Sequence, residues 1–216
     1  MAKVGLKYLR YGLLREGENG EDTYGPARTL GKAIKADINI NKNDVKLYAD
    51  DTLAESDKTF SNGTMSVETS DISQEDNANV LGHSRTEDGE LIANTNDQAP
   101  YLGFGFYGSK KVNGQLKYRA VFFTKIQFGE PNDNNSTKGE TVTFNTETIE
   151  ATIMTNSKGI WKKEKTFDTE REAMQYIDSK FGTDSTQSEG QESLEEQVQQ
   201  EETQEPEQQD VQTEEE

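Results

Sequence analysis

The sequence predicts a mainly β domain, largely antiparallel, with two helices and an acidic C-terminal tail. Three observations carry that reading. Apolar residues recur at every second position through much of the first 182 residues, the period of a strand with one buried face. Turn-forming pairs such as Asn113-Gly114 separate these runs. Charge is also unevenly spread. Of the net −18, residues 183–216 hold 13 acids and no Lys or Arg, whereas residues 1–182 hold 28 acids against 23 bases.

The N-terminal segment 3–15 mixes Leu6, Tyr8, Leu9 and Leu13 with Lys3, Lys7, Arg10 and Arg15. Together with a Gly/Glu-rich stretch to residue 22 it reads as a basic arm, able to link one subunit to the next. Between 33 and 40, Ile34, Ala36, Ile38 and Ile40 share one face, the pattern of a half-buried strand. Residues 46–58 read as an exposed loop carrying Asp50, Asp51, Glu55 and Asp57. A strand over 64–69 follows, with Met65 and Val67 inward. Ser73 as N-cap, acids in the next turn and Gly82 as stop predict a short helix.

Residues 101–107 form a nearly apolar strand with glycines interleaved, and Asn113-Gly114 predicts a type I′ hairpin into the next strand. Within 118–128 the alternation shifts parity after Phe123, from Val121 and Phe123 to Ile126 and Phe128, which predicts a bulge or a change of buried face. Residues 130–139 make a polar projecting loop that includes Asp133 and Lys138. The β-branched run 142–154 predicts a strand, and Asn156 to Gly159 a second hairpin leading to a strand over 160–167. A closing helix is capped by Asp168 or Thr169, buries Ala173, Tyr176, Ile177 and Phe181, and stops at Gly182. The Glu/Gln-rich tail 183–216 lacks aromatic residues and the apolar surface needed to offset ordering entropy, so the composition predicts disorder there.

Composition excludes several classes. No window approaches the length of a membrane-spanning apolar segment. The N-terminus lacks the apolar stretch of a secretory signal. With no Cys there are no disulfides, thiolate zinc sites or Cys nucleophiles. A net-negative body offers no basic stripe to grip phosphates.

Motifs with chemical potential reduce to structural readings. Gly103, Gly105 and Gly108 spell G-x-G-x-x-G, but a dinucleotide site needs that motif between a strand and a helix, and here a hairpin follows. The expectation is a strand whose glycine face is crossed closely by another element. The single histidine, His83, reads as a turn residue after the short helix, favoured by the helix dipole. The acids at 50–57 lack the spacing of a calcium loop. Trp161 reads as core packing. No catalytic set, cofactor site or metal site emerges, which points away from an enzyme.

Several strings resemble one family: Val45-Lys-Leu-Tyr-Ala-Asp-Asp51, Leu53-Ala-Glu-Ser-Asp57, Leu81-Gly-His83 and Ala99-Pro-Tyr-Leu-Gly-Phe-Gly-Phe-Tyr107. With Lys111-Val-Asn-Gly114, Tyr118-Arg-Ala120, Lys138-Gly-Glu140 and Thr148-Ile-Glu150, they are similar to the phi13-type major tail proteins of long, flexible-tailed phages of Gram-positive hosts. The likeness covers about residues 3–181 and stops before the acidic tail.

The resemblance implies a tail-tube-type β-sandwich or barrel, assembled as homohexameric rings stacked into a tube. Its partners would be other copies of itself, a tape-measure protein, a tail terminator and distal tail or baseplate proteins. DNA would pass through without specific binding, and nothing would insert into a membrane. The protein would be made in the bacterial host cytoplasm and reside in the virion tail. An inner sheet of about 24 strands at ~4.8 Å spacing and ~40° tilt would enclose a barrel ~48 Å across. That bore leaves room for a duplex, and an acidic wall would not retain it. The tail would then project outward.

Lys3, Lys7, Arg10 and Arg15 are the candidate arm contacts between subunits. Asp50, Asp51, Glu55 and Asp57, with Asp133 and Lys138, are the candidate contacts between rings. Two other readings come from the same residues. One is a non-catalytic β-sandwich receptor- or carbohydrate-binding virion protein, which should show an exposed aromatic platform. The other is a hydrolase using a carboxylate pair among Asp50, Asp51 and Glu55.

Overall fold

The computed structural model describes residues 3–17, 21–49, 52–132 and 146–182, all within one compact unit that ends at Gly182. The expected acidic tail, Asp50, Asp51, Asp133 and Lys138 lie outside these described residues, as does the 142–145 part of the expected strand.

The fold is mainly β, with two short helices among the described residues. In chain order come β1 (Lys3–Arg15), the two-residue strands β2 (Thr23–Tyr24) and β3 (Arg28–Thr29), and the long β4 (Ala33–Ala49) and β5 (Thr52–Thr69). Helix α1 (Gln74–Leu81) leads to a miniature pair, β6 (Ser84–Arg85) and β7 (Leu91–Ile92). Then follow β8 (Leu102–Val112), β9 (Gln115–Phe128), β10 (Glu147–Met154), β11 (Lys162–Phe167) and α2 (Glu170–Asp178). One antiparallel sheet runs in the order β2-β1-β8-β9-β10-β5-β4, with β3 also on β1 and β11 also on β9.

Strands β8 and β9 sit at the centre and are apolar on both faces. Phe104, Phe106, Val121 and Phe123 face the main core, with Leu9 and Tyr11 of β1, Met65 and Val67 of β5, and Ile149 and Ile153 of β10. The alternate residues Tyr107, Ala120 and Phe122 face α2 and pack on Ala173 and Ile177. The parity that selects these two faces is the strand period itself. Because Ala33, Ala36 and Ile40 of β4 pack on the same core as Leu6 and Leu9 of β1, the two ends of the sheet curl toward each other.

The expected bulge is present. Leu102 pairs with Ile126 but Phe104 with Phe123, so Thr124 and Lys125 oppose the single residue Gly103. The glycine face is crossed as expected. A Cβ on Gly103 would lie 2.5 Å from the Tyr24 ring, and one on Gly105 2.9 Å from Ile177 Cγ2 of α2. Gly103→Ala should therefore destabilise the fold by about 1–3 kcal/mol through overpacking. A thermal melt unchanged from the parent would contradict that packing. Asn113 and Gly114, both at positive φ, close the predicted β8–β9 hairpin.

Four expectations are corrected. Segment 3–15 is no arm. It is a full strand, β1, paired with β8 from Lys3↔Lys110 to Leu13↔Leu102, and Leu9 and Tyr11 are completely buried. Residues 46–49 and 52–58 of the expected loop are strand, because β4 and β5 continue as a paired ribbon to Ala49↔Thr52. The 156–159 turn does not join two mutually paired strands. β10 pairs with β9 at residues 125–128 and β11 with the same edge of β9 at 118–123. The chain thus leaves β9, turns through Asn156 and Gly159, and returns to the same edge in the same direction. At the junction the Thr124 amide and hydroxyl bond to the Trp161 and Ile160 carbonyls, respectively. Finally, α2 ends at Ser179 rather than at Gly182.

Both helices start where their caps direct. Ser73 accepts from the Asp76 amide, and Gly82 closes α1 in the left-handed region. Thr169, not Asp168, is the N-cap of α2 and forms a reciprocal capping box with Glu172.

Candidate interaction surfaces

Strands β4 and β5 contain 17 and 18 residues, far more than the neighbouring strand can cover. β10 pairs with β5 only from Gly63 to Thr69, so residues 42–49 and 52–60 form a two-stranded ribbon beyond the supported sheet. The ribbon leaves at a register shift, where Asn41 pairs with Asn62 but Lys42 with Phe60. Phe60 stacks on Trp161 with the rings 4.9 Å apart and 6° from parallel, and Asn41 bonds Asn62 through its side chain. Trp161 is thus a partly buried packing residue, as expected, and it fixes the base of the ribbon.

At about 3.3 Å per residue the ribbon reaches some 25–30 Å past this base. Such ribbons are marginal alone in water, and both of its outer edges carry unpaired backbone groups. Glu55 lies in it opposite Leu47, exposed, and Asp57 opposite Val45.

The outer edge of β4 is also free along the supported part of the sheet. Ile34 and Ile38 there are 47% and 40% exposed. They border a groove of about 490 Å³ whose floor is Phe106, Val121 and Phe123 and whose end is Trp161. Strand β11, which branches from β9, presents another edge; it is six residues long and carries Lys162, Lys163 and Lys165, a composition that discourages pairing. The two edges therefore differ in kind.

The basic residues expected on an arm serve α2 of the same chain instead. Lys7 Nζ lies 3.2 Å from Glu170 Oε1, which also accepts from the Tyr107 hydroxyl. Arg10 Nε lies 3.4 Å from Asp178 Oδ1, and the Tyr8 hydroxyl donates to Asp178 Oδ2 at 2.6 Å. β1 thereby holds both ends of α2. The Tyr107 hydrogen bond, then Lys7, keeps the Glu170 carboxyl below the usual range. Arg15 is exposed at the end of β1, where Thr23 is its register partner. Lys3 faces Lys110 in register. Lys7 and Arg10 thus serve opposite ends of α2, while Glu55 and Asp57 share the β5 strand of the ribbon.

His83 does more than end a turn. Its side chain is only 6% exposed, with Nδ1 2.8 Å from Asp97 Oδ2 and Nε2 3.0 Å from Glu130 Oε1. The Asn94 amide and His83 together hold Asp97 below its ordinary value. Where a Ser–His–Asp triad would place a hydroxyl, Nε2 faces a carboxylate. The contact ties the 83–97 excursion to the end of β9. His83→Phe should leave two carboxylates without this partner and cost about 1–3 kcal/mol. An unchanged denaturation midpoint would refute the bridge.

On β11, Glu164 is held at a pKa of about 2 by Arg119 and then Lys162. Its folded value lies below the unfolded one of about 4.3, so its stabilisation is complete above that value and is lost as pH falls toward 2. The groups are partly exposed, so the effect is at most ~1 kcal/mol. The melting-temperature gap between the parent and Glu164→Gln should shrink between pH 4.5 and pH 2. A gap constant over that range would contradict the pairing.

No protein-family model matches this chain, and no curated protein matches it.

Proposed function

We propose that this chain is a structural protein that polymerises with itself, as the phi13-type tail tube resemblance implies: hexameric rings stacked into a phage tail tube that conducts DNA to the host. The observation that supports it most is the β4–β5 ribbon, which leaves its own domain with paired strands, free edges and no cover among the described residues. An isolated domain gains nothing from such an element, whereas a polymer uses it to bury the exposed edges. The free β4 edge with Ile34 and Ile38 exposed supports the same reading.

A sugar-binding module draws less support. Tyr101 is the one aromatic among the large exposed apolar residues described, and Lys125 Nζ sits 4.0 Å above its ring centre. The partners and the virion location follow from the tube reading: a tape-measure protein within the bore, a terminator at one end and distal tail proteins at the other.

Sedimentation velocity of the full chain at increasing concentration tests the self-association. The expected result is a species near six times the 24.2 kDa chain mass, with larger stacks above it. A single 24.2 kDa species at all concentrations would overturn the proposal.

A further inference from the structure

We propose that the groove beside β4 receives the acidic distal ribbon of a second copy of this chain. The idea rests on the self-assembly reading above and names its receiving site.

The groove has an unusual charge for an acidic protein. Lys35, Lys110, Arg119 and Lys162 line it, and among the described residues no carboxylate does. Asp37 pairs with Lys35, and Glu164 serves both Arg119 and Lys162, so two carboxylates just outside the groove face four cations. Lys110 has no carboxylate partner among the described residues. Beneath this cationic rim the floor is apolar, and one wall is the unpaired edge of β4. An occupant that satisfies all three features is an extended strand with acidic side chains. Its backbone pairs with β4, its apolar residues cover Ile34 and Ile38, and its carboxylates meet the rim.

The distal ribbon has that chemistry. Between residues 42 and 58 the sequence carries five acids against Lys42, Lys46 and Lys58. Asp44, Glu55 and Asp57 lie within its strands. Apolar Val45, Leu47 and Leu53 lie in the same strands. The ribbon also has the unpaired edges that a β4 edge requires.

It cannot enter the groove of its own chain. Ile38 pairs with Met65, ten residues along β5 from Glu55, and at about 3.3 Å per residue the separation is ~33 Å along one continuous ribbon. The donor is therefore another copy. Ribbon and groove are different surfaces, so the contact is head-to-tail and repeats from copy to copy, closing a ring or extending a stack.

The chain has no cysteine, which makes disulfide trapping clean. Ile38→Cys and Glu55→Cys proteins, each exposed at the changed position, are mixed under mild oxidation. The expected result is a covalent dimer at least tenfold more abundant in the mixture than in either protein alone. A Glu55→Cys and Lys163→Cys mixture, with the second thiol on the β11 face toward α2, serves as the background. Lys110→Glu and Glu55→Lys should each reduce sedimenting oligomer, and the double variant should restore it. Trapping no greater than background, with the parent still oligomeric, overturns the groove assignment and leaves self-assembly standing. A parent that never associates overturns both.

Discussion

A chain lacking residues 1–15 should not fold. The deletion removes β1, whose pairing with β8 runs the length of the central sheet, and takes Leu9 and Tyr11 out of the main core. It also removes the Tyr8, Arg10 and Lys7 contacts that hold α2 over Phe122 and Tyr107. A single substitution isolates the packing part. Tyr11→Ala empties a fully buried site and removes the partner of Asp76 Oδ1, which accepts from the Tyr11 hydroxyl at 2.6 Å. Loss of about 3–5 kcal/mol is expected from a large-to-small change there. Urea denaturation of Tyr11→Ala checks the magnitude. A folded, cooperatively melting 16–216 fragment would contradict the account of β1 as core rather than arm.

The opposite result is expected when the ribbon is removed. Replacing residues 43–59 with Asn-Gly joins Lys42 to Phe60, already a register pair, through a two-residue hairpin turn. None of the residues described as fully buried lies in the excised stretch, and Phe60 remains to stack on Trp161. The shortened protein should melt within a few degrees of the parent. It should also lose all concentration-dependent association, a drop of at least a hundredfold in apparent affinity. A shortened protein that still assembled would place the self-contact elsewhere. One that unfolded would show the ribbon to be part of the folding unit. The single tryptophan adds a second reading, because Trp161 lines the groove and its emission should shift on assembly of the parent only.

Local signals in the sequence were readable wherever one residue type decides one geometry. Ser73 and Gly82 bracket α1, and Asn113-Gly114 closes its hairpin. The parity change after Phe123 marks the bulge opposite Gly103. Gly103 and Gly105 follow from the Tyr24 and Ile177 side chains that crowd them, and Gly108 from the Gly5 carbonyl. Long-range decisions were less visible. The alternation in 3–15 is that of a strand, yet its bases suggested an arm. Their partners Glu170 and Asp178 lie more than 160 residues away, and no local pattern announces such pairs.

The acids of 50–57 suggested a loop because polar strands without a buried face have no period-2 signature. The sharing of one β9 edge by β10 and β11 was hidden for a similar reason. Asn156 to Gly159 is a good turn, but a turn does not specify whether the strands it joins pair with each other or with a third. The groove was invisible in sequence, since its cations come from β4, β8, β9 and β11.

Negative-stain micrographs of the concentrated full-length protein test the central claim most directly. The account predicts rings and stacked tubes about 100 Å wide with sixfold averages and an open bore, the size expected for six domains around a barrel of ~24 strands. Uniform monomers at every concentration, or closed dimers or trimers without stacking, would contradict it.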